Sequence, residues 1–84
     1  GIVNRVFAKD DFEDGWRALA AQLAAGPTIA YRYIKDNINR AVDGDLVECM
    51  DQEVTYHLHC GRTEDHLEAS KAFVEKRPPV FHGR

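Results

Sequence analysis

The stretch Asp65–Arg84, DHLEASKAFVEKRPPVFHGR, decides how this chain folds, because a helix, a cationic cluster and an abrupt stop coincide in it. Thr63 just before it is a good helix N-cap, and no helix breaker follows before Arg77. Acidic residues at the start and basic residues at the end suit the helix dipole. Pro78–Pro79 forbids continuation, since proline has no N–H. The pattern predicts a helix to Arg77 and an extended tail over residues 78–84.

Two side chains near the end of this helix suggest a binding site. Phe73 and Lys76 are three residues apart and therefore share a helix face. An aromatic surface beside a cation could hold a phosphorylated purine, although the lysine must supply the attraction because the helix dipole is negative at this end. In the alternative interpretation Phe73 is a core residue and Lys76 a solvated partner of the dipole. The residues alone favour this alternative, because cations in a last helical turn are ordinary.

Three further helices are predicted upstream, because apolar side chains recur there at helical spacing. Gly26 and Pro27 form a tight helix-to-helix joint, with glycine ending one helix and proline opening the next. The apolar arc of the second helix is wider than one neighbouring helix needs. The predicted ranges are Asp10 or Asp11 to about Ala25, Pro27 to about Val42, and Asp45 to Gly61.

The first residues have a different pattern. Residues 1–7, GIVNRVF, are β-branched and apolar, which is typical of a short strand. No second strand-like run follows, and an unpaired strand leaves its backbone groups exposed. The segment is therefore either disordered or part of a sheet that lies elsewhere. The predicted fold class is all-α: a short strand-like segment, then about four helices in one domain over residues 1–84.

Length and composition set further limits. A chain of 84 residues makes one domain, and its core is marginal without staples or partners. Cys49 and Cys60 fall on one predicted helix about 16 Å apart, too far for a disulfide, so free thiols in a reducing compartment are expected. No apolar run approaches the roughly 18 residues of a membrane span, and no signal pattern is present. We expect a cytoplasmic protein that does not insert into membranes.

Charge is distributed unevenly. Residues 43–68 carry one basic and eight acidic side chains, whereas residues 69–84 carry four basic and one acidic. An acidic middle argues against a nucleic-acid-binding module, which needs a basic face, and it disfavours a helix-turn-helix DNA binder. The cationic end indicates a local anion site or a salt-bridged subunit contact.

Few residues suggest chemistry. His57, His59, Cys60 and His66 match no standard zinc spacing, and residues 57 and 59 point to nearly opposite sides of a helix. The carboxylates of residues 43–68 are interpreted as helix caps and solvated faces. No Ser-His-Asp pattern, Gly-rich phosphate loop or nucleophile elbow is found. The sequence therefore predicts no metal site and no catalytic residue in this chain.

Four segments in this order carry a family resemblance. The sharpest is AFVEKRPPVF, residues 72–81. Together they resemble the C-terminal region of the enoyl-CoA hydratase/isomerase (crotonase) family, over essentially the whole chain. The four segments are GIVNRV, ALAAQLAAGPTIAY with Lys35 following, GDLVE, and TEDHLEASKAFVEKRPPVFHGR.

The resemblance implies more than the periodicity shows. In that family an N-terminal spiral of ββα units forms the active site, and a C-terminal helical region packs over it and builds trimers, often paired into hexamers. Residues 1–9 would then be a remnant of the spiral, and the oxyanion-hole amides and catalytic carboxylates would precede Gly1. The implied parent is a lyase or isomerase of fatty acid metabolism, acting on a coenzyme A thioester without a tightly bound cofactor. The isolated chain is expected to be inactive.

One site is implied by the resemblance. In hydratases of the family the last helix presents an aromatic residue, and a lysine three positions later, to the adenine and 3′-phosphate end of coenzyme A. Phe73 and Lys76 match those positions, and Lys71 and Arg77 are less supported neighbours. Ala69 departs from the family, where many relatives have glycine at this position. Alanine suits a helix better than glycine, but its methyl group affects how closely a neighbouring element can pack there.

A freestanding helical interaction module with no ligand is the alternative function. Both interpretations predict apolar helix faces with more surface than they can bury against one another. We therefore expect the isolated chain to self-associate, with exchange of a helix as one route.

Overall fold

The structure, a computed structural model, describes residues 1–84 and contains four α-helices and no strand. The predicted all-α class is confirmed. The strand-like segment at the N-terminus forms no strand in this chain: residues 1–8 are neither helix nor strand, and no second strand-like segment is present to complete a ladder. The elements are a 3₁₀ turn Lys9–Asp11, α1 Phe12–Ala24, α2 Thr28–Ala41, α3 Leu46–Cys60 and α4 Glu64–Glu75.

Side-chain caps start the last two helices where the sequence predicts them. The Asp45 carboxylate accepts the backbone N–H of Val47 at 2.8 Å, at the start of α3. The Thr63 hydroxyl accepts the N–H of His66 at 3.1 Å, at the start of α4. These bonds satisfy backbone donors that have no partner within the helix.

Aromatic side chains join α2 to α3, the two helices that pack most extensively. The rings of Tyr33 and Tyr56 are stacked with centroids 4.2 Å apart. The Tyr33 hydroxyl lies 3.4 Å from His59 Nδ1, and the Tyr56 hydroxyl donates a hydrogen bond to Asp36. That hydrogen bond to Asp36 raises the pKa of Tyr56 above its ordinary value. We call Tyr33, Tyr56, His59 and Asp36 the tyrosine seam.

The helices enclose almost no core. Ala72 and Asp65 are the only buried residues. The accessible surface is 7152 Å², about 2,000 Å² more than the roughly 5,000 Å² typical of a monomeric protein of 9.5 kDa. The radius of gyration is 16.1 Å, against about 12 Å for a compact domain of this length. The fold therefore leaves its apolar helix faces uncovered.

The surfaces of α2 and α3 show what the thin core leaves in contact with solvent. Cys49 and Cys60 lie near the two ends of α3 as free thiols. None of the helices combines the length and apolar character that crossing a membrane requires. Large apolar side chains more than half exposed on α2 and α3 are Ile34, Ile38, Leu46, Val47, Met50, Val54 and Leu58.

Candidate functional site

The candidate site lies where α4 ends. The sequence predicts a helix to Arg77, and this boundary is wrong, because α4 ends at Glu75 and Lys76 adopts the left-handed conformation with φ 56° and ψ 38°. The Arg77 N–H then donates to the Ala72 carbonyl at 3.1 Å, across the turn. This is a Schellman-type helix end, in which glycine is the usual left-handed residue. A lysine occupies that position here.

Phe73 and Lys76 form one exposed patch. The Phe73 side chain is 73% exposed. Lys76 Nζ lies 4.4 Å from the centroid of the Phe73 ring, which is within cation–π distance. The structure therefore brings together the two residues that the sequence selects. Such a patch offers an aromatic surface for stacking and an ammonium group for an anion. We call it the Phe73–Lys76 patch.

Lys76 is the only cation of residues 69–84 without a carboxylate partner. Lys71 Nζ lies 4.0 Å from Glu75, and Arg84 Nε lies 2.9 Å from Glu64. The fourth cation, Arg77, is paired as described below, and no ion pair is formed by Lys76. Of the two neighbours considered from sequence, Lys71 and Arg77, neither is directed to the patch. An anion at the patch meets an ammonium group with no competing carboxylate.

Arg77 and Glu68 form a clamp behind the patch. The Arg77 guanidinium donates two hydrogen bonds to the Glu68 carboxylate, at 2.6 and 2.9 Å, and a third to Glu75 at 2.6 Å. Glu68 also accepts the Val80 N–H at 3.0 Å. Arg77 first, and the Val80 N–H second, lower the pKa of Glu68 from 4.5 to about 2. We call this group the Glu68 clamp.

The tail returns along α4 toward its start. The carboxylate of Asp65, only 4% exposed, accepts the N–H groups of His82 at 2.7 Å and Gly83 at 2.9 Å. The Asp65 N–H donates to the Arg84 carbonyl at 3.1 Å. These bonds compensate the burial of the carboxylate. We call residues 77–84 the strap.

Glycine is required near the end of the strap. Gly83 has φ 71°, and a Cβ there would lie 2.6 Å from Thr28 Oγ1 at the start of α2. A side chain at residue 83 would be strained both by its backbone conformation and by this contact. The strap thus links the beginning of α4 to the beginning of α2.

Sequence reasoning missed the clamp and the strap. It interpreted Asp65 and Glu68 as caps or solvated carboxylates and placed Arg77 inside the helix. The available signal was a set of carboxylates in the first two turns of the helix, with one arginine just before the two prolines and, after them, free N–H groups and a second arginine. No local spacing rule joins residues 9 to 20 positions apart, so the direction of the tail could not be deduced.

The three histidines and Cys60 that were considered as metal ligands are not brought together in the structure. No group of His, Cys, Asp and Glu side chains is placed to hold a metal ion. His59 instead faces Tyr33 in the tyrosine seam.

Comparison with known proteins assigns the chain to a class. A family model described as enoyl-CoA hydratase/isomerase matches residues 1–84. A Rhodobacter capsulatus protein named probable enoyl-CoA hydratase is 36% identical over 84 residues, which cover all of this chain and 33% of that protein. The 1,2-epoxyphenylacetyl-CoA isomerase of Escherichia coli is 34% identical over all of this chain and 32% of its own length.

A solved structure shows the same helical arrangement. An enoyl-CoA hydratase from Geobacillus kaustophilus superposes with a TM-score of 0.90 at 39% identity, covering all of this chain and 33% of that one. The chain therefore belongs to the enoyl-CoA hydratase/isomerase family. It spans about a third of the length of the relatives that it matches.

Proposed function

We propose that this chain is the C-terminal helical region of an enzyme that acts on acyl-coenzyme A thioesters, and that Phe73 and Lys76 hold the nucleotide end of coenzyme A. The observation that carries the proposal is the Phe73–Lys76 patch. Its exposed ring suits stacking on adenine, and its unpaired ammonium group suits the 3′-phosphate. Family membership makes a thioester of coenzyme A the substrate class to test.

The exposed apolar faces support an assembly role for the same region. A surplus of about 2,000 Å² per chain is comparable with one subunit's share of a large permanent interface. In the proposed parent enzyme these faces are covered by the rest of the polypeptide and by neighbouring subunits, in a trimer or hexamer. Residues 1–9 then lead in from the preceding core.

The chemistry of the parent enzyme is proposed to lie outside this chain. The carboxylates of α4 that the structure engages have structural partners: Glu68 and Glu75 bind Arg77 near the patch, and Asp65 binds the strap at the start of the helix. Their oxygens are taken up by these hydrogen bonds and ion pairs, which is a structural role rather than that of a proton carrier. We therefore expect no hydration or isomerisation activity from the 84 residues alone. Assays with acyl-coenzyme A substrates that detect turnover by the purified chain would contradict this.

The binding role is tested with the full-length protein, using coenzyme A and 3′-dephospho-coenzyme A as probes. Lys76→Ala should weaken coenzyme A binding about tenfold at low salt, since one charge-assisted contact is lost. Binding of the dephospho compound should change little, and added salt should reduce the difference between the proteins. Calorimetric titration measures all these values.

Lys71→Ala is the matched control, because it removes an exposed lysine from the same helix away from the patch. It should leave coenzyme A affinity unchanged. A Lys76→Ala protein that binds coenzyme A as tightly as the unaltered protein would contradict the proposal and favour the freestanding interaction module.

The position of the chain in its parent is tested by the mass of the natural protein. An immunoblot of source-cell lysate, followed by peptide mapping of the band, should reveal a protein about three times heavier, with peptides that precede Gly1. Peptides that follow Arg84 would contradict the C-terminal position. A band near 9.5 kDa would contradict the parent enzyme altogether.

A further inference from the structure

We propose that the Glu68 clamp is a positioning device for the proposed coenzyme A site: Arg77, held by Glu68, keeps Lys76 in place over Phe73. The inference rests on the proposed function, and it assigns a role to Arg77 and Glu68 that involves no contact with the ligand.

The Phe73–Lys76 patch cannot order itself by packing. Phe73 is 73% exposed and Lys76 is exposed, so neither side chain is fixed by a core. Both residues also lie at the end of α4, where the last carbonyls have no helical donors and fraying is least costly. Contacts outside the patch are therefore the ones that can order it before a ligand arrives.

The backbone at Lys76 also needs support. A left-handed conformation is unfavourable for a lysine, since its Cβ approaches the following carbonyl group. Such conformations persist where neighbouring contacts determine them. Continuation of the helix through Lys76 is the competing conformation, and it would carry Arg77 away from Glu68.

The clamp supplies that support on the next residue. Arg77 is fixed through its backbone N–H, which bonds to Ala72, and through three side-chain hydrogen bonds to Glu68 and Glu75. Glu68 is itself held by the Val80 N–H. With Arg77 anchored at both ends, the left-handed turn at Lys76 is favoured over continuation of the helix, and in this turn Nζ lies 4.4 Å from the Phe73 ring. The same contacts hold the Arg77 guanidinium against Glu68 and Glu75, so that Lys76 alone offers a free cation at the Phe73–Lys76 patch.

A double-mutant cycle on the full-length protein tests this role, with coenzyme A as the probe and calorimetric affinity as the readout. Arg77→Gln should weaken binding about fivefold when Lys76 is present, and less than about twofold in the Lys76→Ala background. Glu68→Gln should reproduce the effect of Arg77→Gln. Equal losses in both backgrounds would overturn the proposal, because Arg77 would then act on the ligand or on the whole fold rather than through Lys76.

Arg84→Gln is the matched control for Arg77→Gln. Arg84 is on the same strap and pairs with Glu64, but it lies at the far end of α4. Its substitution should leave coenzyme A affinity unchanged. A loss equal to that of Arg77→Gln would overturn the proposal, since any loosening of the strap would then suffice.

Failure of the proposed function has a different signature. If Lys76→Ala alone leaves coenzyme A affinity unchanged, the proposed binding site is wrong. The positioning role of the clamp is then tested in the absence of coenzyme A. The structure of the unliganded Arg77→Gln protein then provides the readout. Loss of the positive φ at residue 76, or movement of Lys76 Nζ away from the Phe73 ring, supports the clamp. An unchanged turn overturns it.

Discussion

At the scale of single residues, Lys76 connects the patch to the clamp, because its ammonium group lies over Phe73 and its left-handed backbone leads into Arg77. Phe73 and Lys76 could be paired from their spacing alone, and the structure brings them together. The Glu68–Arg77 contact was not predictable, because it depends on the path taken after Pro78. Lys76 was predicted to lie inside the helix, but it is the left-handed residue just beyond the helix end. The sequence pattern gives no sign that a lysine occupies this position.

Replacing Lys76 by glycine should separate stability from binding. Glycine relieves the left-handed strain, so Lys76→Gly should stabilise the full-length protein by about 0.5–1 kcal/mol while weakening coenzyme A binding. Denaturant unfolding measures the stability. Lys71→Gly, in the interior of α4, is the control and should destabilise by about 1 kcal/mol. Equal destabilisation by both substitutions would show that residue 76 is not strained.

The stability that the Glu68 clamp contributes should decrease at acidic pH. Its pKa is lowered to about 2 in the folded chain, against 4.5 when free, so its stabilising effect is complete above about pH 4.5 and is lost as the pH falls toward 2. The charged groups that act on it are Arg77 and Lys71. Carboxyl ¹³C chemical shifts during an acid titration of the full-length protein measure the pKa directly.

Arg77→Gln is the variant that tests the cause of the shift. Without the guanidinium, Glu68 should titrate closer to 4.5, and the acid sensitivity of the last turn should move to higher pH. A pKa that stays near 2 in this variant would mean that the Val80 N–H, rather than Arg77, holds the carboxylate.

At the scale of elements, the helices were largely predictable because caps and breakers are local signals. Asp45 and Thr63 start α3 and α4 as expected, and the joint at Gly26 and Pro27 separates α1 from α2. The N-terminal segment depends on a non-local condition, since its β-branched residues form a strand only where a partner strand is available. The tyrosine seam was also missed, because it depends on how α2 and α3 face each other.

The tyrosine seam should make the pairing of α2 with α3 sensitive to alkali. The hydrogen bond to Asp36 raises the pKa of Tyr56 above 10.0, so its contribution is complete below pH 10.0 and is lost as the pH rises through the raised value. Tyrosinate absorbance in an alkaline titration of the full-length protein should show one late-ionising tyrosine. Asp36→Asn should shift that ionisation to lower pH, and an unchanged titration would show that the seam does not form.

At the scale of the whole molecule, the sequence predicts surplus apolar surface but not what covers it. The structure gives the excess in total accessible surface, polar and apolar together, as about 2,000 Å² above that of a typical monomer. It also gives the location, since α2 and α3 carry exposed apolar side chains such as Ile38, Met50 and Val54. Large apolar side chains exposed along neighbouring helices favour contact with another surface. The energetic drive for association is therefore a property of the fold itself.

The isolated 84-residue chain should self-associate at tens of micromolar, as multi-angle light scattering would show. Ile38→Glu should reduce this association. Ile38 is 62% exposed on the apolar face of α2 in the single chain, and a carboxylate at this position would be buried without a partner in the associated form. Asn39→Glu adds the same charge to an exposed polar position one residue away, so it should leave the association unchanged. A clean monomer of the unaltered chain would contradict the prediction. Equal effects of the two substitutions would show that charge repulsion, rather than apolar burial, controls the assembly.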